Sequence, residues 1–372
     1  MTISEVSGFL RALARDIGIT RIADITGLDV LGLPVVQCVR PASRSNIVSQ
    51  GKGATLGDAA ASAVFEAAES FFAERLESFE CISATARQLG IDGNRYRQHL
   101  RSDVAADWED VEIPWVSSRN LMTGAAGYVP LALVHTCFTI PAAPDGGLFT
   151  GTTTGLAAGR EKNLALTHAL LECIERDALA NAHGMHGFFH RARIDVATIA
   201  DPTIRDLIDG LSEKGVLTGL WLAPSSTNIP VIWCHLLEDG DPSLALLPLP
   251  AEGSAARGDP VRAVRDAIFE AAQSRLTAIS GARDDFTRAS YPLYPDAALI
   301  AAHQRLLREG PCPVDFRAIE PRENTSGAVL DRLAAAGLDD VEVVDINSDP
   351  VPGIHVLKAF VPGLAPLFEG AP

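Results

Sequence analysis

The fold is decided by a pattern that is clearest in residues 207–232, LIDGLSEKGVLTGLWLAPSSTNIPVI. A helix-like stretch that begins near Leu207 is followed by Gly215, an extended run at 219–222, a turn, and a second extended run at 228–232. Apolar side chains alternate with others along the runs, as in paired strands that bury one face. This segment therefore predicts one helix followed by a pair of strands.

The same order occurs twice more. Near the N-terminus, a helical stretch at 9–13 precedes Gly18 and extended runs at 22–26 and 32–36. Near the C-terminus, a helical stretch from Leu330 precedes Gly337 and extended runs at 341–345 and 353–356. A segment used three times indicates a duplicated core. We predict an α+β fold with internally repeated helix–strand–strand units.

A second repeat interleaves with the first. Gly53 precedes Glu66 by 13 residues, and Gly159 precedes Glu172 by 13 residues. Each glycine opens an Ala-rich helical stretch with the pattern Glu-x-x-Glu, which comprises Glu66 with Glu69 and Glu172 with Glu175. A third helix, predicted from about Asp259 to Ile279, carries Glu270 and Gln273 after Gly258. The glutamates therefore recur at equivalent places.

Composition restricts the class of protein. The chain has 372 residues, 47% of them hydrophobic, and a net charge of −16. We therefore expect a globular enzyme type that binds neither nucleic acid nor a membrane surface. Six cysteines without a Cys-x-x-Cys pair are typical of core thiols in a reducing compartment. No secretion signal or membrane segment is recognisable in the sequence, so we expect a cytoplasmic protein.

The paired glutamates are candidate metal ligands. Positions three apart share one face of a helix, so Glu66 and Glu69 lie on the side of Ser62. Four like charges in one cleft cannot all ionise without cations, and Mg²⁺ prefers such oxygen ligands and often shares them with phosphates. Lys52 and Arg176 are suited to bind those phosphates. The alternative is that the glutamates form solvated surface faces.

Familiar nucleotide and zinc motifs do not fit. Lys52 is followed by Gly53 rather than Ser or Thr, which a P-loop requires, and residues 44–50 look too polar for a buried strand. A histidine-based metal site is a further alternative, because His183, His186 and His190 would align on one helix face. Gly184 and Gly187 argue against a firm helix there.

Taken together, the motifs resemble the YcaO family. They are DIT…GLPV at 24–35, SQGKGAT at 49–55, Ser62 with Glu66 and Glu69, GLAAG at 155–159, ECIERDA at 172–178, EAAQSR at 270–275 and RDD at 283–285. These seven motifs occur in order over nearly the whole chain. The resemblance implies ATP and Mg²⁺ as cofactors and one catalytic domain over residues 1–372. Its parts are a first helix-hairpin repeat at 1–41, two Glu-x-x-Glu helices at 42–200, and the remaining repeats with the Glu270 helix at 201–372.

The family chemistry implied is ATP-dependent activation of a peptide backbone amide by O-phosphorylation, which leads to a thioamide or an azoline. The resemblance implies that the nucleotide lies between the Glu-bearing helices. It implies Mg²⁺ ligands at Glu66, Glu69, Glu172 and Glu175, and nucleotide ligands at Lys52, Ser62, Arg176, Glu270, Gln273, Arg275 and Arg283. It assigns no catalytic residue.

Three residues depart from the family pattern. Ser70 replaces an Arg, Thr154 an Asn, and Leu164 a Glu. The sequence around Lys52 and the serine at position 70 resemble those of members found beside TfuA-like proteins more than those of azoline-forming members. We expect a substrate peptide, a TfuA-like or leader-peptide-binding partner, and a homodimer. The alternative reading is a non-catalytic YcaO-fold partner subunit that binds a peptide or another biosynthetic protein.

Overall fold

A computed structural model describes residues 7–104, 107–144, 146–247, 249–283, 296–347 and 353–366. Its helices are α1 (Gly8–Asp16), α2 (Leu56–Ala73), α3 (Lys162–Gly184), α4 (Phe188–Arg191), α5 (Pro202–Glu213), α6 (Pro260–Ser280), α7 (Ala297–Glu309) and α8 (Ser326–Ala335). Its strands are β1 (Arg21–Asp24), β2 (Val35–Val39), β3 (Val48–Lys52), β4 (Cys81–Ala84), β5 (Ile113–Asn120), β6 (Ala126–Pro130), β7 (Leu156–Gly159), β8 (Ile194–Asp195), β9 (Val216–Ala223), β10 (Val231–Glu238), β11 (Ala251–Ala256), β12 (Val314–Asp315), β13 (Glu342–Asp345) and β14 (His355–Phe360).

The described chain divides into two compact units. Unit 1 comprises the described residues of 7–41, 46–67 and 181–323, and unit 2 comprises those of 42–45, 68–180 and 324–366. The predicted single domain over residues 1–372 stays a prediction. None of the helices in the described ranges is long and apolar enough to span a membrane.

Unit 1 contains two three-stranded antiparallel sheets. One has the order β1-β2-β3 and the other β11-β10-β9, and the short strands β8 and β12 pair in parallel. Helix α6 packs against β10 and β11 and also contacts β3. The core beneath α6 is apolar and buried, and includes Leu220, Ile232, Cys234, Ala267 and Ala271.

Two glycines allow α2 and α6 to approach the sheets closely. A Cβ atom on Gly51 of β3 would lie 2.1 Å from the Ala63 backbone nitrogen of α2. A Cβ atom on Gly253 of β11 would likewise lie 2.1 Å from the Ala271 backbone nitrogen of α6. No side chain fits at such distances, so each helix lies directly on the backbone of its strand.

Unit 2 is built on a six-stranded sheet in the order β4-β5-β13-β14-β7, with β6 paired to β5. Strand β14 pairs antiparallel with both β13 and β7. The core of this unit is aromatic. Tyr96 is fully buried, stacks on Phe360 with ring centroids 5.1 Å apart, and meets Trp108, Trp115 and Phe149 edge-on.

Helix, glycine and two antiparallel strands occur in the same order three times, as α1-β1-β2, α5-β9-β10 and α8-β13-β14. The glycine after each helix has a positive φ: 78° at Gly18, 72° at Gly215 and 78° at Gly337. Side chains disfavour this conformation, so glycine stops each helix and turns the chain into the strand. The α+β prediction is confirmed, and the full equivalence of the three segments stays a prediction.

Two expectations about polar and sulfur-containing residues were wrong. Residues 48–50 form part of β3 and are buried despite their polarity, because Gln50 bonds to α6 through both its backbone oxygen and its side chain. All six cysteines are free, but Cys81 and Cys312 are exposed, so only four are core thiols.

Candidate functional site

In unit 1, β3, α2 and α6 bring predicted site residues together. Lys52 ends β3, and its ammonium nitrogen lies 2.5 Å from the Glu270 carboxylate of α6. One turn further along α6, the Gln273 side-chain amide donates to the Gln50 backbone oxygen at 3.0 Å. Lys52 and Glu270 are each about one-quarter exposed, so this pair remains open to solvent on one side.

Glu66 of α2 belongs to the same group. Burial raises the pKa of its carboxyl from 4.5 to about 7, and the negative charge of Glu270 adds to this rise. This rise in the Glu66 pKa is partly opposed by the positive charges of Lys52 and Arg283 and by the hydrogen bond from the Gln50 backbone N–H. Glu66 therefore carries a charge that its surroundings compensate only incompletely.

Three further residues of unit 1 were predicted to bind the nucleotide, and their surroundings differ from one another. Ser62 is half-buried on α2, on the turn before Glu66. Arg283 is described and interacts with Glu66, whereas the rest of its motif, Asp284 and Asp285, lies outside the described residues. Arg275 is only 3% exposed, and its guanidinium binds Asp29 and Glu238, each at 2.7 Å. The structure thus gives Arg275 a bracing contact, and its predicted nucleotide role stays a prediction.

In unit 2, backbone amides hold two of the predicted metal ligands. The Ala158 N–H of β7 donates to the Glu69 carboxylate at 2.7 Å. The Gly155 N–H, just before β7, donates to the Glu172 carboxylate at 3.1 Å. The chain entering β7 therefore fixes carboxylates from both α2 and α3.

Glu172 resembles Glu66 in its electrostatics. Burial raises the pKa of its carboxyl to about 7, and Glu175 raises it further, whereas Arg176 and Lys358 lower it. The Arg176 guanidinium lies 3.8 Å from the Glu172 carboxylate. Glu175 is buried with 7% exposure. The second Glu-x-x-Glu pattern is therefore a largely desolvated acidic group, not a solvated face.

The sequence interpretation missed Lys358. This lysine lies in β14 with 1% exposure, and its ammonium donates to the Thr152 backbone oxygen. Burial lowers the pKa of its ammonium to about 8, and Glu172, Cys173 and Glu69 act in the opposite direction. The signal available was a single lysine inside the apolar run at 355–360, HVLKAF. A charge at the centre of a buried strand is rare unless it is paired or functional.

The donor chemistry of these two groups fits Mg²⁺. Mg²⁺ binds oxygen ligands, usually through one or two carboxylates together with waters and substrate phosphates. Glu66 and Glu172 both have a raised pKa because their charge is desolvated, and a cation would remove that penalty. Within the described ranges, no three acidic, histidine or cysteine side chains are arranged as a complete metal cage. Ligation by Glu66, Glu69, Glu172 and Glu175 therefore stays a prediction in which phosphate and water would complete the shell.

The histidine alternative loses its geometric basis. Helix α3 ends at Gly184, and Gly187 has a φ of 73° before α4 begins. The ring centroids of His183 and Trp233 lie 4.9 Å apart, whereas His186 lies in the turn after α3 and His190 in α4, where both are exposed. The three histidines therefore do not share one helix face. This agrees with the sequence, in which Gly184 and Gly187 argued against a continuous helix.

The residues that depart from the family pattern are also placed. Leu164 lies on α3 and is 61% exposed. The Ser70 backbone oxygen accepts from Thr136, and the Thr154 hydroxyl accepts from Thr152 at 2.9 Å. Asp177, next to the predicted ligand Arg176, accepts from the Ala365 backbone nitrogen at 2.8 Å and so holds the segment after β14 against α3.

Comparison with known proteins identifies relatives over nearly the whole chain. An uncharacterised protein from the tfuA 3′ region of Rhizobium leguminosarum bv. trifolii is 31% identical, over 98% of this chain and 88% of its own. YcaO from Methanopyrus kandleri, solved with AMPPCP and Mg²⁺, has a TM-score of 0.72 at 22% identity and covers 98% of this chain and 91% of its own. The E. coli microcin synthetase McbBCD complex with pro-MccB17 bound has a TM-score of 0.67 at 14% identity and covers 92% of this chain and 87% of its own.

The family itself is identified by sequence. Residues 50–365 match the sequence profile described as YcaO cyclodehydratase, ATP- and Mg²⁺-binding. This range includes both Glu-x-x-Glu helices and the Glu270 helix. The chain therefore belongs to the YcaO family of ATP- and Mg²⁺-binding cyclodehydratases.

Proposed function

We propose that this protein uses ATP and Mg²⁺ to activate a backbone amide of a peptide. The γ-phosphoryl group of ATP would move to the amide oxygen, a nucleophile would add to the amide carbon, and the oxygen would leave as part of phosphate. With hydrosulfide as the nucleophile, the products are a thioamide, ADP and phosphate, and the hydrogen of hydrosulfide ends on the phosphate. With a Cys, Ser or Thr side chain, the product is an azoline.

One observation carries this proposal. Two carboxyls from corresponding helical motifs, Glu66 and Glu172, are desolvated enough that each has a pKa of about 7. A protein that needed these groups only for stability would gain by replacing them with neutral side chains. Retaining the charge is expected where a cation and developing phosphate charge must be bound.

The surrounding residues have roles that follow from their chemistry. Mg²⁺ bound to Glu66, Glu69, Glu172 and Glu175 would neutralise phosphate charge during transfer. Lys52 and Arg176 supply positive charge for phosphate oxygens, and the Gln273 amide and Arg283 supply further donors for the nucleotide. Ser62 and Glu270 complete the proposed nucleotide contacts. We leave Arg275 out of this set because it is occupied by Asp29 and Glu238.

We favour thioamide formation with a TfuA-like partner over azoline formation. The support is the relative from a tfuA 3′ region, together with Ser70 in place of the arginine of azoline-forming members. A peptide substrate is supported by the structural likeness to the McbBCD complex with pro-MccB17. A homodimer stays a prediction.

The proposal is tested in two steps. A thermal melt with Mg²⁺ alone, ATP alone and both should show a stabilisation that needs both ligands and is lost in Glu66→Gln and Glu172→Gln. Incubation of a candidate peptide with ATP, sulfide and the partner should then change its mass. Replacement of O by S adds about 16 Da to the peptide, and cyclodehydration removes about 18 Da. The absence of both mass changes would contradict the proposed reaction.

A second candidate is a non-catalytic partner subunit that retains the fold for binding. It is favoured by the Lys52–Glu270 ion pair, because a phosphate must displace Glu270 before it can bind Lys52. This candidate predicts no stabilisation by ATP with Mg²⁺ at ligand concentrations far above those at which nucleotide enzymes saturate. The first melt therefore separates the two candidates.

A further inference from the structure

A small cavity in unit 2 is lined by groups that the proposed phosphoryl transfer does not use. Its polar side chains are His99, Thr152, Thr154, Cys173 and Lys358, and its apolar walls come from Leu133 and the segment after β14. The volume is about 20 Å³. That is room for one water or one ion of one or two heavy atoms, but not for a nucleotide or an amino-acid side chain.

Three side chains of the lining, Lys358, His99 and Thr154, can each donate a hydrogen bond, His99 in the tautomer that carries its hydrogen on Nδ1. Lys358 has three N–H groups, and among the described residues only the Thr152 backbone oxygen accepts from it. The buried Nδ1 atom of His99 has no hydrogen-bond partner in the part of the chain that the structure describes. The Thr154 hydroxyl accepts from Thr152, which leaves its own hydrogen available to a further acceptor.

No carboxylate lines the cavity among the described residues. Glu172 and Glu69 interact with Lys358 through their charges, but neither residue belongs to the lining of the cavity. Two N–H groups of the Lys358 ammonium therefore have no acceptor among the described residues, and an anion in the cavity would accept from them.

We propose that this cavity binds one small monovalent anion, with Lys358, His99 and Thr154 as its donors. Chloride, bromide and hydrosulfide share the required size and charge. The assignment of hydrosulfide as the working occupant rests on the proposed function, in which hydrosulfide is the nucleophile that replaces the amide oxygen. The cavity would then hold that nucleophile close to Glu172, through the turn whose Gly155 N–H binds the carboxylate.

The alternative occupant is water. A water molecule can accept from at most two of these donors, whereas an anion can accept from all three. The two occupants differ in scattering, because bromide gives an anomalous signal at its absorption edge and water does not.

The first test uses crystals of the full-length protein soaked in sodium bromide, without ATP or peptide. We expect an anomalous peak in the cavity beside Lys358 Nζ, a weaker peak in Thr154→Val, and no peak in Lys358→Met. The control Lys162→Met removes an exposed lysine that pairs with Asp345 and should retain the peak. Density for water alone in the wild type, or a peak that persists in Lys358→Met, would overturn the proposal. Thr154→Val removes only one hydroxyl, so it tests the site even if Lys358→Met does not fold.

The second test asks which anion the site serves. If hydrosulfide is the occupant, bromide should raise the KM for sulfide several-fold in thioamide formation and leave the KM for ATP unchanged. An unchanged KM for sulfide in a protein that binds bromide would overturn the assignment to hydrosulfide. The bromide soak needs neither catalysis nor a peptide, so failure of the anion site and failure of the proposed function are distinguishable.

Discussion

The ammonium of Lys52 and the carboxylate of Glu270 lie 2.5 Å apart, and both belong to the nucleotide-binding set that the sequence predicts. Two groups that are predicted to contact the same nucleotide are thus bound to each other. The pair joins the end of β3 to the middle of α6. A phosphate that bound Lys52 would have to compete with the Glu270 carboxylate for the same ammonium.

The first prediction concerns this lysine. Because each partner is about one-quarter exposed, we expect Lys52→Met to lower the free energy of unfolding by no more than about 1 kcal/mol. The variant should nevertheless lose the stabilisation produced by ATP with Mg²⁺. Thermal melts with and without both ligands measure this, and Lys162→Met, which breaks an exposed pair with Asp345, is the control that should keep the shift. An undiminished shift in Lys52→Met would exclude the lysine from phosphate binding.

The second prediction concerns pH. The carboxyls of Glu66 and Glu172 have ordinary pKa values of 4.5 and folded values of about 7. Because the folded values are raised, these groups lower the stability of the folded protein as the pH rises from 4.5 through 7. In EDTA, we expect Glu66→Gln and Glu172→Gln to be more stable than the wild type at pH 8, by roughly 1–3 kcal/mol, and equal to it near pH 4.5.

Urea unfolding at the two pH values measures this difference. Mg²⁺ with ATP should reverse its sign at pH 8, because only the wild type gains the ligand's binding energy. Variants that match the wild type at both pH values would show that the two carboxylates are not desolvated in solution.

The third prediction separates a bracing residue from a ligand. The Arg275 guanidinium is buried between Asp29 and Glu238, so Arg275→Met leaves two carboxylates without their cation. We expect a loss of about 3–5 kcal/mol in the free energy of unfolding. Arg308→Met, which breaks an exposed pair with Asp239, should cost at most about 1 kcal/mol. A stable Arg275→Met variant that no longer responds to ATP would instead restore Arg275 to the nucleotide site.

The fourth prediction tests the close approach of helices to strands. Gly51→Ala and Gly253→Ala each place a methyl group about 2 Å from helix backbone atoms, so the helix must move. We expect each to cost about 1–3 kcal/mol in urea unfolding. Gly210→Ala is the matched control, since nothing lies within 4 Å of its Cβ position in α5, and it should stabilise the protein by about 0.5–1 kcal/mol. A neutral Gly51→Ala would contradict the packing of α2 on β3.

The features predicted well from sequence are those set by local rules. Gly18, Gly215 and Gly337 could be recognised because a helix followed by a glycine and an alternating apolar run has a backbone explanation. The family, the α+β fold and the cofactors ATP and Mg²⁺ are confirmed by the match over residues 50–365. The helix predicted from about Asp259 to Ile279 is α6, and Asp259 caps its first turn.

The features that sequence could not predict depend on partners far away along the chain. Strand β3 looked too polar to be buried because its hydrogen-bond partners are distant in sequence. Gln273 and Thr277, which donate to Gln50, lie more than 200 residues further along the chain. The motif predicted a nucleotide ligand at Arg275, because the sequence does not show that Asp29 and Glu238 bind its guanidinium. From the sequence, Lys358 looks like a solvent-facing residue of a strand with one buried face. The neighbouring residues do not indicate that both faces of β14 are buried.

The pairing of β14 with β7 has a consequence for how the protein is made. Some 200 residues separate the two strands, and β5 is likewise bonded to β13 from the far end of the chain. Such contacts close large loops and form slowly, whereas the β1-β2-β3 and β9-β10-β11 meanders need only neighbouring residues. The chain must therefore be synthesised as far as β14 before the turn that contains Gly155 can be fixed by its pairing. During synthesis the incomplete sheet of unit 2 exposes unpaired strand edges, which are prone to aggregation until β13 and β14 have been made.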